Sequence, residues 1–458
     1  MAKQINIKKG LDICLQGEAV RELMPASFAG LYAVSPADFH GLTPKVAVRE
    51  GDAVLAGTPV IVDKKCPEIK FVSPVSGTVK SVVRGEKRRL LNVIIEADRN
   101  NAYVEFPVRN PKDLNADEVK EALLQAGLWP CIKRRPYDII ANPAQAPKAI
   151  YVKGFDSAPS APDYAFCLKG QGKEIQTGID ALCKLTAGKV YLSLPAEGAA
   201  PELAHASGVE AVIMKGPHPA GNLGVVINHT EPVNKGETVW CVNALDLVFF
   251  GRLFLEGKVD LTRLVAVTGP MVIAPAYFRC KAGVCLTALF EGNVYKEAQL
   301  RYVSGNALTG TQVQADGFLG FYDSQVTVLH EGSDVDELLG WVMPRVNMFS
   351  SSRTYFLSGL LRKLNPKKAY DADTRVLGGE RALIMSGEYD RVFPMDIYPE
   401  RLLRACIVKD LEEMEALGIY EVAPEDFALC EYVCTSKIAV QQIVREALDV
   451  LRAENGDE

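Results

Sequence analysis

The sequence predicts an α/β protein built from several domains, and three observations carry that prediction. The chain has 458 residues, beyond the roughly 100–200 that one domain usually takes. Apolar residues make up 48% and charged residues 24%, the balance of a chain that folds around buried cores rather than staying disordered. Short β-type runs punctuated by turns come first, a strand–helix alternation follows, and the chain ends helically.

A formal net charge of −6 gives the molecule no overall attraction for nucleic acid or anionic lipid, so neither is expected as a partner. Two basic runs, Arg84, Lys87, Arg88 and Arg89 in one and Lys133, Arg134 and Arg135 in the other, read as solvated surface. Eleven cysteines lie scattered without regular spacing, as expected of reduced thiols in a cytosolic protein. Residues 1–10 hold no apolar run of the kind a secretory signal needs. The most apolar stretches, 239–255 and 264–278, are broken by Asp246 and Arg252 and by Gly269, Pro270 and Pro275. Neither supplies the ~20 apolar residues of a membrane span.

In the first part of the chain Val46 and Val48 alternate before a Gly51-Asp52 turn, and a second turn at Gly57 leads into another β run. The word Ser73-Pro74-Val75-Ser76-Gly77 then resembles the strand entry of lipoyl and biotinyl carrier domains, so a barrel-sandwich unit is expected here. Asp63-Lys64-Lys65 falls where such carriers present their modified lysine, but Cys66-Pro67 and the spacing to Gly77 depart from that pattern. Unmodified surface lysines are therefore expected.

A helix is predicted over 115–126, with Val119, Leu123 and Leu124 sharing a face. Beyond it, residues 127–137 carry Trp129, Lys133, Arg134, Arg135 and Tyr137, and Pro130 and Pro136 keep the segment from being a regular helix. It reads as an exposed crossing segment. Strands at 149–152, 189–192, 211–214 and 238–242, with helices at 177–185 and 201–207, then predict a Rossmann-like open sheet. No G-x-G-x-x-G joins a strand to a helix, and the glycine cluster at 215–224 contains Pro217 and Pro219. A pyrophosphate there would lack its cradle of free N–H groups. His205, His218 and His229 read as polar loop histidines, because their spacing fits no simple zinc pattern.

β-type text over 264–328 predicts a small mixed-sheet unit of the β-grasp kind, in which Cys280 and Cys285 lack the second pair a zinc site needs. Strand-like residues 381–385 and a helical region over 398–417 follow. Ser436 reads as the N-cap of a last helix whose apolar face holds Ile438, Ile443, Val444, Ala447, Leu448 and Leu451. The expected limits are 1–110 for an N-terminal segment with the barrel-sandwich unit, 111–147 for a helical and crossing linker, and 148–258 for the Rossmann-like domain. The β-grasp unit takes 259–331, a connecting segment 332–395 and the C-terminal helical domain 396–458.

Between the last helical regions lies Leu429-Cys430-Glu431-Tyr432-Val433-Cys434. An iron–sulfur cluster needs four thiolates, so the segment reads as a ferredoxin-type ligand loop that has lost most of its ligands. Together with Gly127-Leu128-Trp129, Arg135-Pro136-Tyr137, Gly216-Pro217-His218-Pro219, Leu339-Gly340-Trp341 and Phe349-Ser350, it makes the chain resemble, over nearly its full length, the NqrA family of the sodium-translocating NADH:quinone oxidoreductases. That family is similar in architecture to flavin- and cluster-binding subunits of other respiratory complexes.

The resemblance implies a peripheral subunit on the cytoplasmic face of the bacterial inner membrane, docked chiefly on the membrane-embedded B subunit. It implies no cofactor bound covalently by this chain, with flavins and iron–sulfur centres on partner subunits, and quinone as a possible ligand. The quinone-proximal candidates it implies are Phe39, His40, Trp129, Lys133, Arg134 and Tyr137, with Trp129 and Tyr137 stacking on the ring and a cation polarising a carbonyl. Read without the resemblance, the residues leave two other classes open. One is a self-sufficient NADH dehydrogenase, which would carry flavin when purified alone; the other is a lipoyl-type carrier, which would show added mass at Lys64 or Lys65.

Overall fold

The computed structural model describes residues 3–296, 299–333, 368–376 and 378–456, with isolated positions between 346 and 365. The words at 339–344 and 349–354 lie outside the described residues, as does much of the expected connecting segment. Three sheet systems and a helical cap make up the described fold.

The barrel-sandwich unit is a four-stranded sheet (Leu31–Val34, Leu90–Ala97, Gly77–Arg84, Ala53–Val54) facing a three-stranded one (Pro44–Val46, Pro59–Asp63, Lys70–Val72). Val93 and Ile95 turn inward two residues apart, as strand alternation requires, and Val60, Ile61 and Val79 are buried with them, the register of Pro59–Asp63 shifting between Pro59 and Ile61. Lys64 and Lys65 stand exposed on the Pro59–Asp63/Lys70–Val72 hairpin.

The sheet of the second, α/β unit has seven strands in the order Lys3–Asn6, Glu210–Lys215, Val190–Pro195, Ile150–Lys153, Val239–Asn243, Lys133–Arg135, Ile139–Ile140. The first five are parallel and the last two antiparallel. Successive strands run outward from Ile150–Lys153 on one side, and Val239–Asn243 takes the other. The switch point of the sheet therefore lies between Ile150–Lys153 and Val239–Asn243, the place where folds of this type hold ligands at their strand carboxyl ends. Helices Gly172–Leu182 and Ala244–Glu256 cover one face at backbone contact, because Gly178 and Gly251 omit the side chains that would collide with Leu247 and Glu174. The Asn243 side chain accepts from Leu245 N–H to cap the second helix, and Gly257, left-handed at φ 65°, ends it.

The third sheet is mixed and six-stranded: Thr311–Val313, Leu300–Ser304, Gln325–His330, Thr262–Thr268, Ala276–Lys281, Leu23–Met24. The C-terminal helices Pro399–Val408, Leu411–Ala416, Ala428–Val433 and Val440–Glu454 share a core with the parallel sheet through Ile5, Tyr137, Val226, Leu402, Phe427 and Leu448.

Several expectations are corrected. Linear limits fail for the N-terminal segment, since Lys3–Asn6 pairs with Glu210–Lys215 and Leu23–Met24 with Ala276–Lys281. The linker strand Lys133–Arg135 belongs to the parallel sheet's antiparallel edge. Arg134 and Arg135 are buried, so this run is not solvated surface and the crossing segment is not exposed. The helix expected at 177–185 spans Gly172–Leu182, and that at 201–207 shrinks to Pro201–Ala204. Residues 398–417 split where Lys409 turns left-handed at φ 58°. No strand forms at 381–385. Ser436 is not an N-cap: it is buried, donates to the Ala382 carbonyl and accepts from Ile384 N–H, and the last helix starts at Val440.

Candidate functional site

Two cavities meet at the loop carrying Phe321, Tyr322 and Asp323, and of the six candidates Phe39 lines one and Lys133 the other. One is a narrow slot of about 20 Å³ lined by the Phe39, Phe71 and Phe321 rings, Pro74 and Pro130, with Asp38 as its single ionisable group. The short helical turn Pro36–Asp38 places that carboxyl, which accepts a hydrogen bond from Phe321 N–H at 2.9 Å. Burial pushes the Asp38 pKa up to about 7, the Phe321 hydrogen bond holds it back, and nearby Asp323 raises it further. Near neutral pH the slot thus presents a carboxyl shared between its protonated and ionised forms.

The other cavity is a polar cleft of about 210 Å³ at the carboxyl ends of Ile150–Lys153 and Val239–Asn243, where the strand order reverses. Lys133, Arg135 and Lys153 line it together with Asp138, Asp156, Asp246, Asp323 and Glu425. Its cations are already paired: Lys153 with Asp156 at 2.7 Å, Lys133 with Asp138 at 3.5 Å, and Arg135 with Asp426 at 2.5 Å and Glu425 at 2.9 Å. Burial alone would favour an uncharged Arg135, but the facing Asp426 and Glu425 outweigh it and move its pKa up. Burial raises the Asp246 carboxyl to about 6 against the pull of Arg263, 3.3 Å away.

The candidates divide between these surroundings. Phe39 is buried, tilted against Phe71 and Phe321 with ring centroids 4.4 and 5.0 Å away. His40 is exposed and bonds Asp449 of the last helix at 2.7 Å. Trp129 is fully buried, its indole N–H donating to the Ala141 carbonyl at 2.7 Å and its ring edge-on to Trp240 at 5.3 Å. Arg134 is buried and donates to Gln145. Tyr137 is buried beneath the C-terminal helix, its hydroxyl accepting from Asn455 and its carbonyl from Arg445. Lys133 alone of the six lines the polar cleft, with its ammonium 4.5 Å over the Tyr322 ring. Tyr322 ties the segments together by donating to the Pro130 carbonyl at 2.7 Å and packing on Phe39. Neither Asp38 nor Tyr322 was singled out from sequence; the Pro36 that fixes the turn ahead of Asp38 is the one local signal for either.

His218 is buried rather than a loop histidine in water. Its Nδ1 lies 3.0 Å from Ser157 Oγ, and burial pushes its pKa down to about 4.

Cys430 and Cys434 are both buried, and Cys434 Sγ accepts a hydrogen bond from Tyr389 at 3.0 Å. Two thiols do not supply the four ligands of a cluster, and among the described residues no group of three or more His, Cys, Asp or Glu is arranged around a metal position. At the loop 216–222, leading from Glu210–Lys215 into helix Leu223–Thr230, Pro217 and Pro219 lack N–H groups. Asp426 lies so close to Gly224 in the first turn that a methyl group there would collide with both carboxylate oxygens. The cradle of a dinucleotide fold does not fit a phosphate here.

Comparison with known proteins supplies the family. Residues 5–98 match a family model described as the NqrA N-terminal barrel-sandwich hybrid domain, 114–259 the NqrA second alpha/beta domain and 264–315 the NQRA C-terminal domain. The A subunit of the Na(+)-translocating NADH-quinone reductase of Rhodopirellula baltica is 34% identical over 453 residues, 98% of each chain. The chain belongs to the NqrA family. A second family member, from Klebsiella pneumoniae, is 35% identical over 454 residues, 98% of this chain and all of that one. Among solved structures, an NAD+-reducing [NiFe]-hydrogenase in the H2-reduced state overlays 75% of this chain and 62% of its own at 14% identity and a TM-score of 0.40. Members of the NqrA family are components of an oxidoreductase complex, the Na(+)-translocating NADH-quinone reductase. Among the described residues no helix is long and apolar enough to cross a membrane.

Proposed function

We propose that this chain is the peripheral, cytoplasm-facing NqrA component of a complex that couples NADH oxidation by quinone to sodium export, docked chiefly on the membrane-embedded B subunit. Flavins and iron–sulfur centres are then held by the partner subunits. What supports this reading is the similarity along 98% of the chain to proteins bearing that name. The β-grasp character of the third sheet, the lipoyl-type ancestry of the barrel-sandwich unit and the ferredoxin-type ancestry of the C-terminal helices belong to the same proposal. The test is co-purification: tagged chain drawn from its native membrane should bring membrane and flavin-bearing companions and sodium-stimulated NADH:quinone reductase activity. Elution of the chain by itself from an active membrane would overturn the assignment.

Quinone contact is the finer part of the proposal. Its support is that the segments around Phe39 and Trp129 converge on Tyr322, between an aromatic slot holding one protonatable carboxyl and a cleft lined by the Lys133 ammonium. The groups placed to meet a quinone carbonyl are Asp38 and, on leaving Asp138 3.5 Å away, Lys133; Trp129, Arg134 and Tyr137 serve as packing behind them. The slot as it stands admits no more than a water-sized group, so a ring enters only if the Phe39 and Phe321 side chains swing aside. Lys133→Ala in the assembled enzyme should raise the KM for quinone several-fold. The same variant should leave NADH oxidation by an artificial one-electron acceptor unchanged. Equal loss with both acceptors, or no change with quinone, removes Lys133 from the quinone site.

A further inference from the structure

The parallel sheet keeps the shape of a nucleotide-binding sheet, and one of the chain's own carboxylates sits against the helix turn that borders its ligand cleft. Helix Leu223–Thr230 begins at the N-cap Asn222, and Leu223 lines the cleft at the switch point. In folds of this type the first turn of such a helix, opened by a glycine, is where an anion comes closest to the backbone. Here the glycine is Gly224, and the group against it is the carboxylate of Asp426, from the C-terminal helical domain. Asp426 is buried, accepts from Arg135 Nη1 at 2.5 Å and from Ala423 N–H at 2.9 Å, and its second oxygen has no hydrogen-bond donor. Arg135, on the antiparallel strand next to the edge of the same sheet, is itself buried and supplies the opposing charge. The neighbouring backbone is fastened too: Asn222 Nδ2 donates to the Glu425 carbonyl, Arg135 to the Glu421 carbonyl, and Asn228 to the Glu421 carboxylate.

We propose that Asp426 is a built-in anion: it fills the place beside Gly224 that a ligand phosphate would take, closes that corner of the cleft to phosphate-bearing nucleotides, and locks the C-terminal domain onto the sheet through Arg135. The buried guanidinium, the side-chain-free Gly224 and the positive end of the helix all favour negative charge at that point. A carboxylate attached to the chain supplies it at an effective concentration no free anion matches. The orphan oxygen of Asp426 fits this account. An anion held by N–H donors of the helix turn would satisfy all its oxygens, whereas a tethered carboxylate reaches the place at an angle its own backbone dictates.

The consequence is a gain of function on truncation. Asp426→Ala removes the nearer of the two carboxylates on Arg135, with Glu425 staying 2.9 Å away, and opens the position beside the helix turn, so inorganic phosphate should bind there. The melting temperature of the purified full chain is measured against potassium phosphate, with potassium chloride at matched ionic strength as the blank. The variant should melt below the native chain and recover by about 2 °C or more, saturably, at tens of millimolar phosphate. The native chain should show no phosphate-specific shift, and Asp426→Ala combined with Arg135→Met should not respond. The same phosphate response in the native chain and in Asp426→Ala, or one that survives removal of Arg135, overturns the proposal. If Asp426→Ala is recovered only as aggregate, the readout becomes the soluble yield on refolding. A yield raised by phosphate but not chloride, and absent in the double variant, supports the built-in anion, and a yield that phosphate leaves unchanged counts against it.

Discussion

Replacing Trp129 by alanine separates a packing residue from a ligand-contacting one. The indole is fully buried, its N–H donates to the Ala141 carbonyl at 2.7 Å, and its ring meets Trp240 edge-on at 5.3 Å. Truncating a buried Trp costs about 3–5 kcal/mol through lost burial and the cavity left behind. The hydrogen bond adds about 1 kcal/mol and the aromatic pair a similar amount, although both overlap with the burial figure. A total of about 4–5 kcal/mol is the reasonable expectation, or roughly 8–20 °C in the melting of a unit of 150–250 residues. Trp129→Phe keeps most of the ring and loses the N–H, so about 1–2 kcal/mol should go. Thermal melting of the purified chain followed by tryptophan fluorescence ranks native, Phe and Ala variants in that order. If Trp129→Ala melts within 2 °C of the native chain and yet selectively weakens quinone-site inhibitors in the assembled enzyme, the packing account of Trp129 is wrong and the residue faces a ligand.

Three further substitutions test the titrating groups and the helix pair. The folded pKa of Asp38, about 7, lies above the unfolded carboxylate value of about 4. The folded chain therefore holds a proton the unfolded chain releases, and stability from this group is lost as pH rises from about 4 through 7. Asp38→Asn should accordingly match the native melting temperature near pH 4 and exceed it at pH 8; a gap independent of pH refutes the assignment. His218 has the opposite sign, since its folded pKa of about 4 lies below the unfolded value of about 6.5. Its contribution is complete above about 6.5 and disappears as pH falls toward 4, so His218→Gln should be the less stable chain at pH 7.5 and should close the gap by pH 5. Gly251→Ala drives a methyl group into the Glu174 backbone and should cost about 2 kcal/mol or more in urea denaturation, whereas a change under about 0.5 kcal/mol would mean that the two helices can separate freely.

What the sequence made legible followed from periodicity. The four central parallel strands were placed to within a few residues because each is a short apolar run bounded by turn residues, and the helix Ala116–Gln125 because Val119, Leu123 and Leu124 recur on one face. Helices Leu223–Thr230 and Ala244–Glu256 escaped the same reading: both are apolar on nearly every side, and a helix buried all round has no polar face to reveal its period. The strand-like 381–385 failed for the complementary reason, since β propensity needs a partner edge and Ile384 and Met385 lie exposed in an irregular segment. The candidate site was harder still. A run of three cations reads as solvent-facing, and nothing local tells that Asp426 and Glu425, nearly three hundred positions downstream, neutralise Arg135.

Charge pairing at that sequence distance is a property of the assembled chain, and it bears on how this sheet relates to its ligand-binding counterparts. A buried guanidinium needs a counter-ion, and truncating either partner of such a pair typically costs about 3–5 kcal/mol. A ligand phosphate and a tethered carboxylate are alternative ways to meet that need, and only the second makes the position of the C-terminal domain depend on it. If phosphate restores the Asp426→Ala chain, the cleft still has the electrostatics of an anion site beneath its own carboxylate. If it does not, Arg135 and Asp426 form a structural ion pair in its own right, and the likeness of this corner to a phosphate cradle is one of backbone shape.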